Sequence, residues 1–94
     1  MNVRVEQIRE RLQSLHPVCV EIEDDSHLHE GHPGARDGRG HFRVRIVADC
    51  FADESKLSRH RMVYQALGSL MQSEIHALSI STLTPAEAGP DEDN

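Results

Sequence analysis

Tryptophan is absent from this chain, and its aromatic side chains amount to one tyrosine and two phenylalanines. Any core must therefore be built from valine, isoleucine and leucine. Cysteine is nearly absent as well: Cys19 and Cys50 stand far apart with no metal-type spacing around them. That excludes a disulfide framework and favours a reducing compartment. No apolar run approaches the ~20 residues of a membrane span, and the N-terminus has no signal-peptide pattern. The expectation is a cytoplasmic domain without membrane contact. Positive charge is in the minority, with a formal net charge of −6, which argues against bulk electrostatic binding of nucleic acid. There are no internal repeats. Nor is there a nucleophile elbow, a P-loop or a zinc-protease motif, so catalysis is not expected.

What is present suits one small domain. A chain of 94 residues buries about 60–65% of its unfolded surface, giving a thin core. Val5, Ile8, Leu12 and Leu15 form one stripe, which predicts a helix over 3–15 with Asn2 as its cap and Pro17 beyond its end. Residues 18–23 alternate, with Val18, Val20 and Ile22 against Cys19, Glu21 and Glu23, and so predict a half-buried strand. Residues 41–48 do the same, with Phe42, Val44, Ile46 and Ala48 inward. Paired antiparallel, these strands bring Glu21 and Glu23 opposite Arg43 and Arg45. Val63, Leu67 and Leu70 predict a second helix over 56–71, capped by Ser55 or Asp53, with Gly68 weakening or ending its last turns. A third strand covers 75–83, and Pro85 stops it. The order helix–strand–strand–helix–strand places two helices on one face of a three-stranded mixed sheet. Residues 1–85 form the domain. Residues 86–94 form an acidic tail, expected to be disordered.

Between the first two strands run 17 residues, 24–40, holding four glycines, one proline and three histidines. Connections of this length are usually functional or disordered. His27, His29 and His32 lie in it, His41 begins the second strand, and His76 begins the third on the same parity as Leu78 and Ile80. Imidazole suits zinc, copper or iron, but the spacing of the loop histidines matches no closed structural site. On spacing alone a solvated polar loop remains open beside a metal loop. His60 reads as a helix-surface or capping residue. Residues 36–61 hold seven Arg or Lys against four acids, so a local basic face is open. Arg59 and Arg61, near a helix N-terminus, suit phosphate, but a solvated face is the simpler reading of them.

Taken together, Asp24-Asp25-Ser26, His29, Gly40-His41-Phe42-Arg43-Val44, Arg59-His60-Arg61-Met62-Val63-Tyr64, Ile75-His76-Ala77-Leu78 and Thr84-Pro85 resemble the BolA family. The likeness runs from the first helix to Pro85. It implies an α+β, class II KH-like fold of the order read above. It also implies partnership with a monothiol glutaredoxin, in a heterodimer sharing a 2Fe–2S cluster with that protein and glutathione, and no cofactor when the chain is alone. In such proteins one ligand is the histidine that corresponds to His76. The other is a His or Cys of the first connection, here His29, with His41, His27 and His32 as runners-up. Imidazoles in place of thiolates raise the potential of a cluster. The resemblance also implies an alternative, a DNA-binding transcriptional regulator of stress response, morphology and biofilm, contacting phosphate through Lys56, Arg59 and Arg61. A homodimer is a further option.

Overall fold

The computed structural model describes residues 2–26 and 39–89. Helix α1 (Val3–Leu12) continues as a tighter turn, Gln13–Leu15. The Asn2 side chain accepts from the Val5 N–H, satisfying one of the donors that a helix start leaves open. Strand β1 (Cys19–Asp24) pairs antiparallel with β2 (Gly40–Val47). A short turn at Asp49–Phe51 leads to α2 (Lys56–Leu67), whose Ser55 cap accepts from the Ser58 N–H. Helix α3 (Leu70–Ser73) precedes β3 (Ile75–Leu83), which joins β2 in parallel, and α4 (Pro85–Ala88) closes the described chain. The sheet order is β1-β2-β3. The two longer helices, α1 and α2, against a three-stranded mixed sheet are thus the observed architecture, with α3 and α4 as single turns flanking β3.

The core sits between α1, α2 and the inward residues of the sheet. Ile8 and Leu12 meet Phe42, Val44, Ile46, Val63, Leu67 and Ile75, with Phe51 enclosed at the end of β2. On the opposite face the predicted charge pairs are in register, Glu21 with Arg45 and Glu23 with Arg43.

Four local expectations are corrected. Val18 stands outside β1 and is 60% exposed. The helix over 56–71 does not run through to 71: of the two effects expected of Gly68 it is the end that occurs, at φ 53°, ψ −128°, which side-chain-bearing residues avoid, and a separate helix follows. His60 is half-buried rather than on the surface, its Nε2 enclosed without a hydrogen-bond partner among the described residues. The chain also stays ordered past residue 85: Pro85 ends β3 and opens α4, while Thr84 and Glu87 satisfy each other's backbone N–H groups in a capping box. Residues 90–94 of the acidic tail lie outside the described residues.

Candidate metal centre

Simple alternation puts His76 on the face of Leu78 and Ile80, against the core. The structure turns it outward instead. Gly40 is opposite Ile75 and His41 is opposite Ala77, so His76 is the extra residue of a β-bulge. A bulge re-aims one side chain and shifts the alternation by one residue. Ile75 is buried, His76 and Ala77 are exposed, and Leu78 returns to the core side. The imidazole is thereby placed beside His41, their ring centroids 5.1 Å apart at a tilt of 44°.

His41 is held by its backbone. Its N–H donates to Ser26 Oγ at 3.1 Å, and its carbonyl accepts from the Asp25 N–H at 2.8 Å. Ser26 is fixed in turn by Asp24, whose Oδ1 accepts from the Ser26 N–H at 2.9 Å. Burial works against the charge of Asp24. The hydrogen bonds from Ser26 and Asn2, with Arg4 nearby, outweigh that and hold its carboxyl below the ordinary value. Gly40 is packed so closely that a Cβ there would lie 2.6 Å from Ser26 Oγ and 2.8 Å from the Phe42 ring. Its N–H donates to Glu74 O at 3.0 Å, tying the start of β2 to the turn before β3. The two histidines therefore rise from a braced junction of two strand ends.

One neighbour escapes sequence reading altogether. Arg39 reaches His76, Nη2 to Nδ1 at 3.3 Å, and donates from Nη1 to Gln72 O at 3.4 Å. Nothing in the local pattern marks this arginine among its neighbours, since the contact spans 37 residues. Ser26 is also missed, although it stands within a quoted motif.

Of the predicted ligands, His76 and His41 are brought together, while His27, His29 and His32 lie outside the described residues. Among the described residues no cluster of three or more metal-binding side chains occurs. Two adjacent imidazoles fit part of a ligand set, with the remaining positions left to donors from elsewhere. For Cys50, burial leads the effects that push its thiol above the ordinary value, which disfavours the reactive thiolate.

The basic residues divide. Lys56 and Arg61 are exposed on α2. Arg59 folds inward, its side chain only 13% exposed. It donates to Glu87 Oε1 at 2.6 Å, to Glu87 Oε2 at 3.3 Å, to Glu54 O at 3.0 Å and to Thr82 O at 3.3 Å. The pairing with Arg59 is the chief reason that the Glu87 carboxyl is lowered to about 2.

A model of the BolA-like protein family matches residues 12–87. The chain is 46% identical over 86 residues to SufE-like protein 1, chloroplastic/mitochondrial, of Arabidopsis thaliana, a likeness covering 85% of this chain and 23% of that one. It is 37% identical over 83 residues to the DNA-binding transcriptional regulator BolA of Escherichia coli, covering 87% and 76%. Among solved structures, the BolA domain of SufE1 from Arabidopsis thaliana superposes with a TM-score of 0.80 at 43% identity, covering 93% of this chain and 98% of that one. The chain thus spans about a quarter of the plant protein's length. That relative is named for organelles, so the comparison does not assign this chain to the cytoplasm. No helix among the described residues is long and apolar enough to cross a membrane.

Proposed function

The chain belongs to the BolA-like family, and from that premise we propose that it partners a monothiol glutaredoxin, offering His76 and one histidine of the β1–β2 connection to a labile 2Fe–2S cluster held jointly with that protein and glutathione. The observation that carries this reading is the bulge, which turns His76 out of the core and sets it beside His41. An imidazole turned out of the core and set beside a second one suits an incomplete ligand set. His29 remains the first candidate for the second ligand by family resemblance, and His41 is the one whose position supports it. The shared cluster would supply an iron with open sites for imidazole. The chain's part is to fix two donors and leave the rest to its partner. This is the role of a binding partner, without catalysis.

Reconstitution with iron, sulfide and glutathione, with and without a monothiol glutaredoxin, tests the reading by visible absorption and circular dichroism. A heterodimer spectrum distinct from that of the glutaredoxin alone is expected. It should be lost in His76→Ala and altered in either His29→Ala or His41→Ala, whichever removes the second ligand. No complex, or a spectrum indifferent to His76→Ala, would sink it.

A second reading, DNA binding, is favoured by the name of the Escherichia coli relative and by the exposed Lys56 and Arg61 on α2. Its test is a DNA titration across salt, because phosphate contacts release counterions and make affinity fall steeply. Charge reversal at Lys56 and Arg61 should abolish that binding. Arg59, engaged with Glu87, should matter to the fold instead.

A further inference from the structure

We infer that Arg39 is a gate on His76, one that bars bare divalent cations and yields only when a competing ligand set displaces it; the inference rests on the ligand role proposed for His76. The guanidinium carries donors and no acceptor. The nitrogen that it meets at 3.3 Å, Nδ1 of His76, is therefore the one presenting a lone pair. A neutral imidazole with its lone pair on Nδ1 carries its proton on Nε2. Both nitrogens are then closed to a metal ion, Nδ1 by Arg39 and Nε2 by its own hydrogen. Ligation through Nδ1 displaces the guanidinium directly. Ligation through Nε2 moves the proton to Nδ1, where it faces a donor and breaks the same contact.

The arm is anchored at both ends. Arg39 also donates to Gln72 O, and the next residue, Gly40, is tied through its N–H to Glu74 O. Its charge adds to the block. A divalent cation at the ring sits within a few ångströms of a fixed positive group, whereas a cluster arriving with thiolates and sulfides brings negative groups for that guanidinium to meet. Arg39 is thus a specificity-determining residue, selecting a delivered cluster over free metal.

The experiment reads the His76 ring nitrogens of the apo protein by long-range ¹H–¹⁵N correlation, at a pH where the ring is neutral. The expected result is the Nε2–H tautomer in the wild type and a mixture in Arg39→Ala. Zn²⁺ alone, followed at those same nitrogens so that other histidines do not count, should bind Arg39→Ala roughly tenfold more tightly. A proton on Nδ1 in the wild type, or identical Zn²⁺ titrations in the two proteins, would overturn the gate. These readouts need no glutaredoxin, so the two readings fail separately. The expected tautomer together with a heterodimer spectrum indifferent to His76→Ala overturns the gate through its premise. Nδ1–H with that spectrum lost overturns the gate alone.

Discussion

A side chain at position 40 would meet Ser26 Oγ and the buried Phe42 ring well inside contact distance. Neither neighbour can retreat cheaply, since Ser26 is holding the His41 N–H and Phe42 is packed in the core. Gly40→Ala should therefore cost roughly 1–3 kcal/mol in urea unfolding and shift the His41 amide resonance, an effect that a remote glycine would not produce. Asp24 acts at the same scale through charge. Its carboxyl is held below the ordinary value of 3.8, so its contribution is fully present above that value and disappears as pH falls through the depressed one. Asp24→Asn should lower stability near neutrality and flatten the acid limb of a plot of stability against pH. The two curves should meet in strong acid.

Among the elements, α4 has only four residues, yet it is clamped to the rest through Glu87 and Arg59. Because the Glu87 carboxyl is lowered to about 2 from an ordinary 4.5, the clamp is present above the ordinary value and is lost only as pH falls through about 2. Glu87→Gln should lower the thermal midpoint at pH 7, with the gap to the wild type closing below pH 3. A gap unchanged at that acidity would show that the ion pair is not what Glu87 supplies. At the other end of α2, Gly68 adopts a backbone region nearly closed to L-residues. Gly68→Ala should cost about 1–2 kcal/mol by denaturant titration. Periodicity made α1, β1, β2 and α2 legible, because each buries one face and leaves a stripe in the chain. The bulge was not legible from alternation alone, because it is set by pairing between residues 35 apart. One signal was available: Ile75 breaks the even-numbered inward series of Leu78 and Ile80. The Arg59 clamp was hidden for the same reason, since its partner lies 28 residues away.

At the scale of the molecule, a thin core makes single large side chains decisive. Phe51 is fully enclosed, and Phe51→Ala should cost roughly 3–5 kcal/mol, a large part of the 5–15 kcal/mol typical of a folded domain. Loss of a cooperative urea transition would be the sign. The exposed His76 at the start of β3 is a different case. Excise His76, and Ile75 still faces Gly40 while Ala77 still faces His41, now with unbroken alternation into Leu78. Such a shortened chain should show a urea midpoint no lower than the wild type. On the ligand role proposed for His76, then, one lost codon separates a copy that can hold the cluster from one that only folds.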